Sequence, residues 1–553
     1  MKKQWWKEAV AYQVYPRSFM DSNGDGIGDL QGMIKKLDYI KSLGIDVIWI
    51  CPMYRSPNDD NGYDISDYQD IMDDFGNMAD FDQLLKEVHS RGMKLIIDLV
   101  INHTSDEHPW FVESRSSKNN PKRDWYIWRD PSEDGSEPNN WESIFNGPAW
   151  EYDEVTKQYY MHIFSTKQPD LNWENDEVRT ALYDMMNWWM DKGIDGFRVD
   201  AISHIKKIDG LVDLPNPKSL DYVPSFEGHM NRPGIHKFLQ EMKEETLAKF
   251  DVMTVGEANG VKLDQADGWV GEENGAFNMI FQFEHLGLWG KETGGTLDLL
   301  SLKTTLTKWQ KGLESRGWNA LFLENHDQPR SVSTWGNDKE YWLESAKALG
   351  TMFFFMQGTP FIYQGQEIGM TNVRFETIEE YDDVSMQNYY RIETAKGRSH
   401  DKIMQIIWEQ GRDNSRTPMQ WDASINAGFS TSESTWLGVN PNFVDINVAR
   451  QENEKDSILN YYKEMIKLRK SSDALVYGQY DLVLESDEQV YAYTRTLEPE
   501  KVLVVVNMFD TVAEVDLSTV DVKAGSKLLL TNYKEEGTLT ALRPYEARMY
   551  RLV

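Results

Sequence analysis

Short apolar runs recur along most of this chain, each followed by a longer stretch in which apolar positions return at helical spacing. Eight runs, at 9–15, 47–51, 95–100, 196–200, 253–257, 278–283, 320–324 and 360–363, have the length and composition of buried strands. Ahead of the fourth run, Val178, Leu182, Met185, Met186 and Trp189 fall on one helical face, and Gly193 supplies a stop signal. That stripe reads as core. Strand and helix alternating in this way predict an α/β fold of the (β/α)8 TIM-barrel class, whose functional residues sit at the C-terminal ends of the strands.

Two intervals are too long for a simple crossover. After the third run come roughly 70 residues rich in Trp, Asn, Pro and Asp, which predict an inserted subdomain over 104–174. A second insertion, 370–420 after the eighth run, predicts a wall along one side of the cleft. The barrel itself then comprises 1–103 and 175–475. From 476 the pattern turns to short strands at 489–495, 502–507, 527–530 and 548–552, with turns between them and no helical period. That predicts a C-terminal antiparallel β-sandwich domain over 476–553. No tandem repeat or low-complexity linker interrupts the chain.

Composition narrows the picture. The 553 residues suffice for a large core. Basic residues number 58 and acidic residues 90, a net charge of −32 at pH 7 with histidine neutral. That argues against nucleic acid and anionic membrane surfaces as partners, and otherwise reads as a solubilising surface. One cysteine, Cys51, allows no intramolecular disulfide. Within Ile48-Trp49-Ile50-Cys51-Pro52 it reads as a buried structural thiol rather than a nucleophile. The lysines at 2 and 3 lead into no apolar signal segment, and no run reaches the ~18 apolar residues of a membrane span. The expectation is a cytoplasmic monomer. The 20 tryptophans mildly favour a carbohydrate ligand, whose C–H faces pack on flat rings.

The chemistry concentrates at the ends of the predicted strands. Gly196-Phe197-Arg198-Val199-Asp200 puts an arginine and an aspartate on one face, because strand side chains alternate with period two. Asp98 to Asn102-His103 lies upstream, Glu257 and Asn325-His326-Asp327 downstream, each after its own apolar run. Three carboxylates so placed suit an enzyme handling acetals: one ionised, one protonated, one free to hold hydroxyls. Arg198 beside Asp200 should lower that carboxyl's pKa and keep it an anion.

These motifs, with Gln168-Pro169-Asp170-Leu171-Asn172 as a fifth, resemble the α-amylase family of glycoside hydrolases (family 13), in its oligo-1,6-glucosidase/α-glucosidase branch. The likeness runs from about Trp6 to the C-terminus, and five motifs in order are far more specific than a lone Phe-Arg-x-Asp. It implies Asp200 as nucleophile of a retaining exo-acting α-glucosidase, Glu257 as acid/base with a raised pKa, and Asp327 as the carboxylate that binds the 2- and 3-hydroxyls. If so, the first two carboxyls lie about 5–5.5 Å apart. It further implies that His103 and His326 donate to sugar hydroxyls, that Phe164 and Gln168 line the pocket, and that Asp98 supports Arg198. Tyr63 would be the stacking platform. Asp60 and Arg416 would close the pocket over the non-reducing end.

The loop Asp21-Ser22-Asn23-Gly24-Asp25-Gly26-Ile27-Gly28-Asp29 has oxygen ligands at alternate positions and glycine sixth, matching the first nine positions of an EF-hand loop. Gly32 stands where the bidentate glutamate would be. Asp21, Asn23, Asp25, the Ile27 carbonyl and Asp29 therefore read as ligands of a structural Ca²⁺, with Mg²⁺ as the alternative. No organic cofactor is implied.

Linkage turns on two positions. Relatives that cut α-1,6 bonds usually carry Val after the nucleophile and Pro two residues after the acid/base. This chain has Ala201 and Asn259, which point to α-1,4 bonds, as in maltose and maltooligosaccharides. The alternatives are an oligo-1,6-glucosidase, and a transglucosylase or sucrose isomerase using the same intermediate. Trehalose-6-phosphate hydrolysis is disfavoured because no basic phosphate pocket is evident. A non-catalytic binding homologue is disfavoured because all three carboxylates are present.

Overall fold

The computed structural model describes residues 2–288 and 297–553. Eight parallel strands form the central sheet: β1 (Ala11–Val14), β2 (Val47–Ile50), β3 (Lys94–Val100), β4 (Gly196–Asp200), β5 (Met253–Glu257), β6 (Met279–Phe281), β7 (Ala320–Leu321) and β8 (Thr359–Tyr363). Their spatial order is β6-β5-β4-β3-β2-β1-β8-β7. A bridge from Ile280 to Asn319 joins the two ends, so the sheet closes into a barrel. All eight expected strands form.

Alternation sorts the side chains. Ala11, Tyr15, Val47, Trp49, Cys51, Ile96, Val255, Phe281, Phe361 and Tyr363 fill the barrel interior, and the intervening residues pack outward against the helices. The layer near the C-terminal ends is polar: the register pairs Asp98 with Arg198 across β3 and β4. Gly196 enters β4 with φ 140°, and a Cβ there would lie 1.8 Å from the Met253 carbonyl oxygen. Only glycine lets β4 approach β5 this closely. The helix before β4 spans Asp176–Asp191, is capped by the Asn175 side chain, and buries the apolar stripe the spacing predicts.

The insertion after β3 carries a three-stranded sheet, with Gln158–Met161 between Trp128–Arg129 and Trp150–Asp153. The insertion after β8 folds as two helices, Val384–Ala395 and His400–Gln410. The C-terminal domain is a five-stranded antiparallel sheet, β9 (Gln479–Val483), β10 (Val490–Leu497), β11 (Glu500–Asn507), β12 (Lys527–Thr531) and β13 (Ala547–Arg551), with a small second sheet of Ala513–Glu514 and Ala541–Leu542.

Arg495 on β10 fastens this domain to the barrel. It is fully buried and donates to the carbonyls of Phe355, Leu475, Val476 and Gly478. Arg495→Met leaves those acceptors unsatisfied and should cost about 3 kcal/mol or more. Limited proteolysis would report it as earlier cleavage around 471–480; an unchanged cleavage rate would contradict the assignment.

Candidate active site

Four segments converge at the C-terminal mouth of the barrel. Strand β4 delivers Arg198 and Asp200, β3 delivers Asp98, β5 delivers Glu257, and the segment after β7 delivers His326 and Asp327. Arg198 is the hub. Its Nη1 donates to Asp98 Oδ1 at 2.9 Å and Asp200 Oδ1 at 2.6 Å, and its Nη2 to Glu257 Oε2 at 2.5 Å. The guanidinium stands over the Trp49 ring at 5.1 Å. Trp49 Nε1 and the Tyr63 hydroxyl also donate to Asp98 Oδ2, at 3.2 and 3.0 Å.

Exposure separates the working groups from their supports. The side chains of Arg198 and Asp98 are 1% and 0% exposed, whereas those of Asp200, Glu257 and Asp327 are 11%, 19% and 33% exposed. The three carboxylates are therefore the wet edge of a dry cluster.

Burial and the Glu257 charge push the Asp200 carboxyl well above the usual range, and Arg198 only partly offsets them. The expected depression by Arg198 does not prevail, because burial and the neighbouring Glu257 outweigh it. Burial also works against the Asp327 charge, yet His326, Arg416 and Arg412 hold this carboxyl well below the usual range.

Ala201, directly after Asp200, has φ 44° and ψ 28°, a left-handed conformation unusual for alanine. The turn aims its N–H at Glu257 Oε2, 3.2 Å away. Asn259 lies half-buried two residues beyond the end of β5.

One sequence assignment is corrected by the geometry. Asp60 pairs with Arg412, not Arg416: Arg412 Nη2 lies 3.1 Å from Asp60 Oδ1. Asp383 fixes Arg412 through Nε and Nη2 at 2.9 and 2.8 Å, and its guanidinium covers the Phe145 ring at 4.8 Å. Arg416 instead donates to Asp327 Oδ1 at 2.9 Å and to the His326 carbonyl. Both arginines lie in Arg412-Asp413-Asn414-Ser415-Arg416, so the motif held the right residue four positions early. Asp383 and Phe145 carried no sequence signal, since each acts only through the fold.

The remaining predicted residues gather round the same mouth. Tyr63 stacks on His326 with ring centres 5.2 Å apart and planes 4° from parallel. Gln168 Nε2 lies 3.1 Å from Asp60 Oδ2 and 3.2 Å from His103 Nε2. His103 is also 3.1 Å from the Tyr63 carbonyl, and burial lowers its pKa to about 4, so it is neutral. Phe164 packs between His103 and Phe145 at 5.1 and 5.5 Å. Asn102 donates to Asp170 Oδ2 at 3.3 Å, joining the end of β3 to the last residues of the insertion.

The loop 21–29 lies apart from this site and is a chain of Asx turns. Asp21 accepts from the backbone N–H groups of Asn23, Gly24 and Gly26 and from Ser430 Oγ. Asn23 and Asp25 accept from the N–H groups two residues on, and Asp29 caps the next helix through Gly32 N at 2.7 Å. Among the described residues no group of three or more His, Cys, Asp or Glu is arranged for a metal ion. That holds for the loop's three carboxylates Asp21, Asp25 and Asp29, whose oxygens here accept from the backbone. The residue types are nonetheless those of a hard cation's ligands: oxygens only, with Gly26 making the sharp turn at φ 91° and Asp25 exposed.

Comparison with known proteins agrees with this geometry. The alpha-amylase catalytic-domain profile matches residues 13–478, and the maltogenic-amylase C-terminal-domain profile matches residues 480–549. The chain is 59% identical over 554 residues to a probable oligo-1,6-glucosidase 3 of Bacillus subtilis, covering 100% of both chains. It is 48% identical over 560 residues to an alpha-glucosidase of Pediococcus pentosaceus, covering 99% of each. Among solved structures, trehalose-6-phosphate hydrolase of Bacillus licheniformis (44% identity) and isomaltulose synthase of Klebsiella (43%) each superpose with a TM-score of 0.93, covering 100% of both chains.

Proposed function

This chain belongs to the α-amylase family of glycoside hydrolases, and within it we propose an exo-acting, retaining oligo-1,6-glucosidase that releases glucose from the non-reducing ends of isomaltose and short isomaltooligosaccharides. One observation carries the chemistry: Asp200 and Glu257 accept from the two terminal nitrogens of the same guanidinium, at the wet edge of the cluster. The Asp200 carboxylate attacks the anomeric carbon and forms an ester, while the Glu257 proton passes to the departing glycosidic oxygen. Glu257, now ionised, takes a proton from water, whose oxygen displaces Asp200 and regenerates the carboxylate. The Asp60–Arg412 pair closes the far end of the pocket, so only a chain end fits.

The α-1,6 assignment replaces the α-1,4 preference drawn from Ala201 and Asn259. It is supported by relatives named oligo-1,6-glucosidase at 50–59% identity, several of them matching along the whole chain. The α-1,4 reading survives as the second, because Ala201 is small and sits directly beside the nucleophile. Ala201→Val is expected to raise the isomaltose-to-maltose ratio of kcat/KM about tenfold, the worth of one or two methyl groups against a leaving sugar. Glucose release from isomaltose, maltose and trehalose 6-phosphate, measured side by side, tests both readings. A wild-type preference for maltose would overturn the first. Transfer of glucose to a second sugar is the same intermediate meeting a hydroxyl other than water's, and rises with sugar concentration.

We also propose that the loop 21–29 takes Ca²⁺, with Mg²⁺ as a weaker substitute, through Asp21, Asn23, Asp25, Ile27 and Asp29. Bound there, the cation would supply stability to the first βα loop and no step of the chemistry. Millimolar Ca²⁺ should raise Tm by a few degrees and Asp25→Ala should abolish the shift; equal shifts in both proteins would contradict it.

A further inference from the structure

A buried hydroxyl that the reaction scheme does not use stands between the first βα loop and the pocket. Ser18 lies in the short turn Pro16–Ser18 just past β1 and is fully buried. Its Oγ lies 2.5 Å from the Arg416 carbonyl oxygen, and Trp436 Nε1 lies 3.1 Å from the same Oγ. Chemistry fixes the direction of both bonds. A carbonyl oxygen only accepts and an indole N–H only donates. Ser18 therefore gives its one proton to Arg416 and receives that of Trp436.

Arg416 is the residue so held. Its Nη2 donates to Asp327 Oδ1 and its Nε to the His326 carbonyl, each at 2.9 Å, while Nη1 has no partner among the described residues. Where Nη2 meets Asp327 therefore depends on where the backbone at 416 lies. Ser18 grips that backbone twice, since its own carbonyl accepts from Met419 N at 2.8 Å. The neighbouring Ser415 carbonyl accepts from Tyr363 Oη at 2.7 Å and Arg330 Nη2 at 3.3 Å, so the hydroxyl shares the task.

Trp436 is itself braced. Its backbone N–H donates to the Gly26 carbonyl at 3.1 Å, and the Arg17 guanidinium covers its ring at 4.9 Å. Asp21 N donates to the Phe429 carbonyl at 3.0 Å and Ser430 Oγ to Asp21 Oδ2 at 2.5 Å, so the indole reaches inward from a segment stitched to the loop 21–29. The geometry points to Ser18 as a positioning residue: its hydroxyl, kept in line by the Trp436 indole, sets the Arg416 backbone so that the guanidinium holds Asp327 towards the sugar. Removing the hydroxyl should weaken the grip on the sugar hydroxyls that Asp327 takes and spare the end of the pocket that Asp60 and Arg412 close.

This rests on the reading of Asp327 as the carboxylate for the 2- and 3-hydroxyls. Ser18→Ala removes the hydroxyl and keeps the backbone bond to Met419. KM for nitrophenyl α-glucoside should rise about fivefold, with kcat changing less than about twofold. The penalty should fall below about twofold on the 2-deoxy analogue, which gives Asp327 one hydroxyl fewer to hold. It should persist in full on the 4-deoxy analogue, whose missing hydroxyl lies at the closed end. Trp436→Phe keeps a ring under Arg17 and removes only the N–H; it should raise KM about threefold, and the double variant should be no worse than Ser18→Ala alone. Equal penalties on all three glucosides, additive effects of the two substitutions, or an unchanged KM in both single variants would overturn the inference and leave the functional reading standing. Should Ser18→Ala not fold, Trp436→Phe on the same three glucosides carries the test. A wild-type enzyme that hydrolyses none of them would sink the functional reading, and this inference with it.

Discussion

Asp200→Ala is expected to lower kcat for glucoside hydrolysis about 10⁴-fold or more, because no other group in the mouth can form the glucosyl ester. Asp98 is fully buried beneath Arg198, and Asp327 is held away by Arg416 and His326. Glu257→Gln should fail differently. A glucoside whose leaving group needs no proton still esterifies Asp200, but water is no longer activated, so a burst of leaving group precedes a slow steady state. Mass spectrometry of quenched enzyme should then find one glucosyl unit on Asp200. A burst in the Asp200 variant, or label on another residue, would contradict the assignment. Burial and the Glu257 charge, which raise the Asp200 carboxyl, also predict an acid limb of kcat/KM at a higher pH than an ordinary aspartate would give, because the nucleophile must be ionised: activity is present above that pKa and is lost as pH falls through it.

Arg412→Ala is expected to lower kcat/KM for isomaltose about 100-fold, because it strands two buried carboxylates, Asp60 and Asp383, and opens the closed end of the pocket. Arg412→Lys should recover little, since one ammonium cannot reproduce a fork that reaches Asp60 and Asp383 while covering Phe145. With the end opened, longer oligosaccharides should release di- and trisaccharides as well as glucose. A variant that still produces glucose alone at the wild-type rate would show that the pair does not close the pocket.

Most of the barrel was legible because its signals are local. Apolar runs of strand length, a helical stripe ending at Gly193, and carboxylates just past the strand ends are all properties of neighbouring residues. Arg198 and Asp200 fall on one face by period two, and the fold adds only that the face points inward. What could not be read was the sharing of one charge. The sequence reading placed Asp98 with Arg198, as the structure does, but not Glu257 on the same guanidinium, and the depth of burial together with the Glu257 charge reverses the expected direction of the Asp200 pKa. The choice between Arg412 and Arg416 failed for a similar reason: both lie in one short turn, and the partner of each is set by residues far away in the chain.

The most direct test is to follow hydrolysis of methyl α-isomaltoside, whose leaving methyl glucoside cannot mutarotate, by the wild-type enzyme with proton NMR, reading the anomer of the free glucose released. The geometry around Asp200 and Glu257 predicts α-glucose at the outset, with the β anomer appearing only as mutarotation proceeds. β-Glucose as the first product would contradict a covalent intermediate on Asp200, and no hydrolysis at all would contradict the proposed substrate.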